Sequence, residues 1–339
     1  MSKVVLITGA AGFLGSHLAL YHLNRGDTVI GVDNFCSSDP NSKHLEKLRS
    51  YKSFTLCNVD ITDRQELFSR LRTLINPMNR IDLAYNFACP ASPPRYQAMP
   101  VETVMTCVAG TKNVIDCVVS MGNPNAVIVH ASTSEVYGDP IKSPQVETDW
   151  GNVNSYGIRS CYDEGKRAAE ALCRDYLYVH GVDVRLVRIF NTYGPHMQPD
   201  DGRVITNFVM QAANNQDITV FGDGSQTRSF CYVSDLVRGI TKLASLQDNP
   251  RTPINVGNPN EFTMLELADV VRQVFPQSTS KVVFRSLPGD DPRQRKPDVT
   301  LALKLLKWFP IVELQAGLTE LADYWYVNGI ITMRPDRGC

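Results

Sequence analysis

Over the first 190 residues, short, mainly apolar runs alternate with longer stretches that mix apolar and polar positions. Val4–Ile7, Thr28–Val32, Phe54–Val59, Ile81–Ala88, Ala126–Ala131 and Val184–Phe190 are too short for helices and are bounded by turn-forming or polar residues. Such runs predict strands buried on both faces, as in a parallel sheet. Between them, helical periodicity predicts one helix after Gly15 to about Asn24, another from about Val101 to Met121, and a third through Tyr162 to about His180. Strand alternating with helix specifies an α/β fold, a doubly wound parallel sheet with right-handed crossovers.

After Phe190 the texture changes. Asn191-Thr192-Tyr193-Gly194-Pro195 opens a loop-rich region, and Pro253–Gly257 reads as a strand returning to the main sheet. Helical periodicity resumes at Met264–Phe275, Thr300–Lys307 and Leu314–Tyr326. The expected division is a larger domain of 1–190 plus about 229–257, a smaller mixed α/β substrate domain of about 191–228 plus 258–330, and a loose tail, 331–339.

Composition narrows the function classes. With 43% hydrophobic and 20% charged residues the chain carries ample core, and a net charge of -1 gives no support for wrapping nucleic acid or coating a membrane. No apolar run of membrane-spanning length is expected, and Met1-Ser2-Lys3 leads straight into a strand without a signal peptide. The nine cysteines are scattered, with no Cys-x-x-Cys pair, which reads as reduced thiols in a cytoplasmic protein without a metal site.

Candidate chemistry begins at Gly9, Gly12 and Gly15, directly after the first strand. Glycines there permit a tight turn, bring backbone close to a pyrophosphate and let the helix pack on the strand; the helix start offers free N–H groups to phosphates. Asp33 ends the second strand, at about the 20-residue spacing of an acid that binds the adenosine ribose. An acid there would repel a 2′-phosphate, so NAD is expected over NADP. Asp60 reads either as a partner for the adenine amino group or as a helix cap, as does Asp63 for the latter role. His130, inside a strand, reads as a core residue, and Cys89–Tyr96 as a rigid Pro-rich loop. Tyr162 and Lys166 lie four residues apart, on one helix face. An ammonium beside a phenol lowers its pKa from about 10, suiting Tyr162 to act as a base, with Thr133 or a neighbour holding the substrate alcohol.

These motifs resemble the extended short-chain dehydrogenase/reductase superfamily, also called the NAD-dependent epimerase/dehydratase family. Within it, Ala91-Ser92-Pro93-Pro94, Ser132–Pro140, Ser160-Cys161-Tyr162-Asp163-Glu164-Gly165-Lys166-Arg167, Arg188–Pro195, Gly224–Arg228 and Arg295-Lys296-Pro297-Asp298 resemble the UDP-glucuronate decarboxylase (UDP-xylose synthase) family. The resemblance covers about residues 3–326. It implies a Rossmann-type domain that binds NAD and a smaller domain that binds a nucleotide sugar. It implies catalytic roles for Thr133, Ser134, Glu135, Tyr162, Lys166 and Arg295. Cofactor contacts are implied for Gly9, Gly12, Phe13, Leu14, Gly15, Asp33, Asn34, Phe35, Asp60, Ile61, Ala88, Tyr162, Lys166 and Thr192. Substrate contacts are implied for Tyr96, Asn191, Arg203, Val204, Thr219, Phe221, Arg228 and Arg295. No metal is implied. The expected reaction is decarboxylation of UDP-glucuronate to UDP-xylose through a 4-keto sugar, with NAD recycled. Family members pair the helices near 101–121 and 162–180 into a homodimer; Val104, Val108, Val114, Ile115 and Val118, with Ala168, Ala171, Leu172 and Leu177, are the expected interface, with core packing within one chain as the competing reading.

Particular residues discriminate among related chemistries. The family's dehydratases carry Asp where this chain has Ser134, and its 4-epimerases usually lack the acid present here as Glu135. A 4,6-dehydratase or 4-epimerase of a nucleotide sugar is the alternative enzyme, and a non-catalytic NAD-binding protein the alternative of another class. Two departures bear on the sugar: Glu102 where the family has a basic residue, and Cys107 where it has Asn. Arg95 is the expected compensating cation, with pairing to Glu102 as one way it acts; the competing reading has Glu102 pointing to solvent at a helix N-terminus, where acids are favoured.

Overall fold

The computed structural model describes residues 2–75, 80–286 and 294–336. The expected strands form one parallel sheet. β1 (Val4–Thr8), β2 (Thr28–Asp33), β3 (Phe54–Asn58), β4 (Ile81–Asn86), β5 (Gly122–Thr133) and β6 (Asp183–Ile189) are joined by a seventh strand, Ile254–Val256. From one edge the order is seventh strand, β6, β5, β4, β1, β2, β3, so the chain reverses direction between β1 and β4. Clefts that bind ligands open outside the carboxyl ends of the strands at such a reversal.

Two apolar layers sandwich the sheet. On one face Leu6, Ile30, Ile81 and Ile128 pack with Val114, Ile115, Val118 and Cys173. On the other, Val5, Ile7, Val29 and Val129 join a larger core with Leu18, Leu236, Ile240 and Trp308. The remaining short strands pair apart from the sheet, Ile218–Phe221 parallel with Val282–Arg285 and Thr227–Ser229 antiparallel with Glu261–Thr263.

In chain order the helices up to the site are α1 (Phe13–Asn24), α2 (Lys43–Arg49), α3 (Arg64–Leu74), α4 (Pro93–Ala98), α5 (Pro100–Met105), α6 (Thr111–Met121) and α7 (Ser160–His180). The Pro-rich segment is therefore partly helical: prolines in the first turn of α4 start a helix, because the missing N–H there would have no partner. Between α5 and α6 a π turn, Thr106–Gly110, keeps the run continuous. Contrary to expectation, Pro100–Met121 has the length and apolarity of a membrane span. It packs against α7 and β5. Within it Val114, Ile115 and Val118 are buried in the core, so they are not available as interface residues.

α7 buries Tyr162, Gly165, Lys166, Ala169 and Cys173 on one stripe toward the sheet and ends at Gly181, whose φ of 68° suits glycine. Glu170 fixes its register. Arg188 of β6 grips both Glu170 oxygens at 2.9 and 2.8 Å, and the Ser132 hydroxyl donates to the same carboxylate at 2.5 Å.

Residues 331–336, expected to be loose, are tied down. Ile331 is buried, and the Asp336 amide donates to the Val274 carbonyl at 2.8 Å. Residues 337–339, Cys339 among them, lie outside the described residues.

Candidate active site

A single cleft of about 630 Å³ runs across the carboxyl ends of the strands. Its first half is built on the glycine turn. Gly9 has φ +71°, and a Cβ on Gly15 would sit 2.0 Å from the Gly9 carbonyl oxygen, so the turn and the start of α1 touch with no room for a side chain. Gly12 caps α1 without a side-chain hydrogen bond, and Phe13, Leu14 and Gly15 line the cleft there. Helix-start N–H groups in such a cradle fit a diphosphate.

Asp33, buried at the end of β2, accepts from the Ala11 amide at 2.9 Å, the Phe35 amide at 2.9 Å and the Ser38 hydroxyl at 2.8 Å. These bonds hold an acceptor where ribose hydroxyls would donate. Asn34, Asp60 and Ile61 line the same end, and Asn34 donates to Asp60 at 2.8 Å. Asp63, not Asp60, caps α3. Phe35 departs from expectation: it packs against the core and does not line the cleft. The site thus fits an NAD-type dinucleotide. Asp33→Ala should relax the preference for NAD over NADP, since acceptor and negative charge both go; an unchanged ratio of kcat/KM for the two cofactors would contradict this placement.

Ala88 lies on the far wall. Thr8 positions it, donating to Asn86 at 2.9 Å and accepting from the Phe87 and Ala88 amides at 3.1 and 3.2 Å. His130 Nδ1 meets the Asn86 amide nitrogen at 3.1 Å, whereas its buried Nε2 has no partner among the described residues. It is a core histidine outside the cleft, only half satisfied.

The chemical centre lies where β5 ends. Thr133, Ser134 and Glu135 leave the strand as a short 3₁₀ turn, capped by the Thr133 hydroxyl, which accepts from the Glu135 amide at 3.2 Å. Thr133 also hydrogen-bonds the Tyr162 phenol. The Tyr96 ring stacks on Tyr162 with centroids 5.0 Å apart. Lys166 Nζ donates to the Ala131 carbonyl at 2.8 Å and lies 5.8 Å from the Tyr162 ring centre. One expectation is reversed here. Burial pushes the Tyr162 phenol well above the ordinary tyrosine value; the Thr133 bond acts against it, and Lys166 does not overcome it.

Glu135 is clamped by two arginines. Arg295, itself buried, donates to both carboxylate oxygens, at 3.2 Å from Nε and 3.0 Å from Nη2, and a further N–H goes to the Gly138 carbonyl. Arg159 closes on Glu135 Oε2. Burial alone would raise the Glu135 pKa, but the two cations hold it at about 2. Asp163, buried nearby, is raised by burial and by Glu135 to about 7.

The sequence reading missed Arg159. Its signal was the spacing to Asp163, four residues on along α7 and 4.0 Å away.

The other half of the cleft carries the expected nucleotide-sugar residues. Tyr96, Asn191, Arg203, Val204, Thr219, Phe221 and Arg228 all line it, as does Thr192, which was expected to touch the cofactor. Arg203 is forked onto Asp201, with Nη2 donating at 2.8 Å, and Thr219 is held by Gln211.

Arg95 also lines the cleft, but it pairs with Asp200 at 2.9 Å and not with Glu102, which is exposed in the first turn of α5. Neither Glu102 nor Cys107 lines the cleft. The two departures from the family pattern therefore lie off the cleft lining, and the expected pairing of Arg95 with Glu102 is not formed.

Three histidines stack beside the glycine turn: the His196 ring lies 4.1 Å from His17 and 4.6 Å from His44. Burial lowers all three, His17 to about 4 and His196 to about 2, and it also lowers His22 and His130. Unfolded, each would titrate near 6.5. Below that pH the unfolded chain therefore binds protons that the folded one refuses, and stability falls as pH drops from about 6.5 toward 4, by about 1.4 kcal/mol per pH unit for each such proton. Asp163 and Glu147, both raised, act in the opposite sense but are outnumbered. Calorimetry should show Tm falling through this window; a flat or rising Tm would contradict the assignment.

Together, the sheet order, the glycine turn with Asp33, and the Thr133–Tyr162–Lys166 group define a dinucleotide-binding oxidoreductase-type site facing a second binding half. A profile of the family described as "NAD dependent epimerase/dehydratase family" matches residues 5–257. The chain belongs to that family. It is 47% identical over 319 residues to UDP-glucuronic acid decarboxylase 1 of Arabidopsis thaliana, covering 94% of this chain and 69% of that one. To UDP-glucuronic acid decarboxylase 6 of the same plant it is 46% identical over 320 residues, covering 94% and 88%. Among solved structures, the UDP-glucuronic acid 4-epimerase of Bacillus cereus, in complex with UDP-glucuronic acid and NAD, superposes with a TM-score of 0.80 at 28% identity, covering 97% of this chain and 100% of that one.

Proposed function

We propose that the chain is an NAD-dependent UDP-glucuronate decarboxylase that forms UDP-xylose through a 4-keto sugar. The observation that carries the reading is Glu135, ionised between Arg295 and Arg159, beside the Thr133–Tyr162 pair and with Ser134 in the position of the dehydratases' acid. Bound along the glycine turn, NAD would supply a hydride acceptor, and later donor, for the sugar C4.

The chain's own residues account for the rest. Thr133 and Tyr162 hold the 4-hydroxyl; with the positive charge of Lys166 and of the NAD⁺ that would be bound there favouring its phenolate against burial, Tyr162 takes that proton as C4 is oxidised and returns it at the end. A ketone at C4 lies β to the C5 carboxylate, so carbon dioxide departs and leaves its electron pair delocalised onto O4. The same two hydroxyls stabilise that oxyanion. Lys166 supplies positive charge beneath Tyr162. Arg295 is the cation for the sugar carboxylate, held by Glu135, which is too acidic to donate a proton itself. Ser134 replaces an acid and so removes the proton donor that elimination needs. Asn191, Thr219, Phe221 and Arg228 hold UDP, Arg228 by charge-assisted bonds to phosphate.

Run in D₂O, the reaction should place one deuterium at C5 of UDP-xylose, because that carbon gains a solvent proton after carbon dioxide leaves. A product with no carbon-bound deuterium would overturn the reading and favour a 4-epimerase.

The assembly is proposed as a homodimer. Val101, Val104 and Met105 on α5 are exposed apolar residues, and Ala168 and Ala171 are exposed on α7, which packs against α5. Light scattering at micromolar concentration should give twice the chain mass; a monomer rejects it.

A further inference from the structure

Two cysteines that the chemistry above does not use lie in contact behind the cleft. Cys89 follows β4 on the wall that carries Ala88, and it lines the cleft. Cys107 sits on the π turn between α5 and α6 and is buried. Their sulfurs are 3.4 Å apart, although 18 residues separate them in the chain. The contact brings together a cleft wall and the element beneath the catalytic helix. Gly165 marks that element: a Cβ there would lie 3.1 Å from Cys107 Cβ and 3.2 Å from its sulfur. Gly165 stands between Tyr162 and Lys166 in α7. Cys107 therefore packs against the backbone that presents both catalytic side chains.

We propose that Cys89 and Cys107 are a modification site, a thiol pair that small peroxides oxidise reversibly to a disulfide, switching off the adjacent active centre. A bonded pair of sulfurs is about 2.05 Å apart, so closure requires a movement of about 1.4 Å shared between two side chains and their supports. The chemistry balances with hydrogen peroxide as oxidant. Cys89, the sulfur that the cleft reaches, passes its proton across the contact and attacks one peroxide oxygen. The S–O bond forms, the O–O bond breaks, and hydroxide leaves as water after taking up a proton. Cys107 then attacks the sulfenic sulfur of Cys89; the S–S bond forms, the S–O bond breaks, and a second water departs. Two thiols lose two electrons and the peroxide gains them. Near neutral pH an acceptor for the Cys89 proton is at hand: the hydrogen bond from Cys89 draws the Cys107 thiol down to about 7 against burial, with Lys166 assisting. The same bond and burial hold Cys89 well above the ordinary thiol value, so its attack follows transfer of its proton to Cys107.

The bond draws the Ala88–Cys89 wall toward the π turn and shifts the surface on which Gly165 rests. Displacements near 1 Å at a positioned site cost on the order of 10²-fold in rate. Oxidation is therefore expected to lower turnover by about that factor, and dithiothreitol to restore it.

The test uses the full-length purified protein. It is treated with hydrogen peroxide, free thiols are blocked with N-ethylmaleimide, and a non-reducing digest is read by mass spectrometry. The expected result is a peptide pair linked through Cys89 and Cys107, present before and absent after dithiothreitol, with activity lost and regained in step. Cys107→Ser should give no linked pair and no dithiothreitol-reversible loss of activity; Cys89→Ala, read by the same digest, covers the case in which that variant fails to fold. Absence of the linked pair in wild-type protein whose other thiols have been oxidised overturns the proposal, as does an equal reversible loss in Cys107→Ser. The linked peptide is read without reference to turnover, so its absence counts against the disulfide alone, whereas untreated protein without turnover counts against the decarboxylase reading.

Discussion

Tyr162→Phe should lower turnover by at least about 10²–10⁴-fold, the range that acid–base catalysis supplies. The substitution keeps the ring, its stacking on Tyr96 and its burial, and removes the oxygen that Thr133 bonds. Stability should change little, because the lost hydroxyl leaves a single partner that can turn to the substrate. Binding of UDP-glucuronate should persist, so the loss should fall on kcat far more than on KM. Near-wild-type kcat would sink the assignment of Tyr162 as the base.

Arg295→Ala is the second large effect and a more discriminating one. Arg295 is almost fully buried and bonds both oxygens of Glu135, so its removal strips one of two cations from a buried carboxylate. Breaking such a pair costs about 3–5 kcal/mol where the partner charge is left uncompensated. Arg159 still faces Glu135 Oε2, so the cost in stability should fall below that range. The cost in catalysis should be larger. C4 oxidation depends on Thr133 and Tyr162, which the substitution leaves in place, whereas the steps after it need the cation at the sugar carboxylate. Single-turnover absorbance at 340 nm should therefore show reduced cofactor building up while release of carbon dioxide stalls. A variant that stalls before any reduced cofactor forms would move Arg295 to substrate binding.

Much of this was legible in the chain because its signals are local. The unbroken apolar run Val4–Ile7, with the glycine turn directly after it, reads as a strand covered on both faces, and mainly apolar runs such as Val184–Phe190 read the same way from their length and flanks. Tyr162 and Lys166 declare themselves by helical spacing. The misreadings arose where tertiary packing decides. Val114, Ile115 and Val118 look like interface residues on a helical projection, yet the sheet covers them. Phe35 follows Asp33 in sequence, but its positive φ of 60° turns the ring to the core. Residues 331–336 carry no periodicity; burial of Ile331 and backbone bonds to Trp325 and Val274 hold them. The Tyr162 pKa could not be read from the presence of Lys166, because burial is a property of the whole site. Arg159 was signalled only by its spacing to Asp163, and its grip on Glu135 depends on packing at the end of β5; the Cys89–Cys107 contact depends on how the π turn meets the β4 wall, which no spacing in the sequence encodes.

The most direct test is incubation of the purified protein with UDP-glucuronate and NAD, with carbon dioxide and nucleotide sugars both quantified. The account predicts one carbon dioxide released for each UDP-xylose formed, with no lasting increase in reduced cofactor. UDP-galacturonate formed without carbon dioxide, or cofactor retained with no sugar converted, would contradict it.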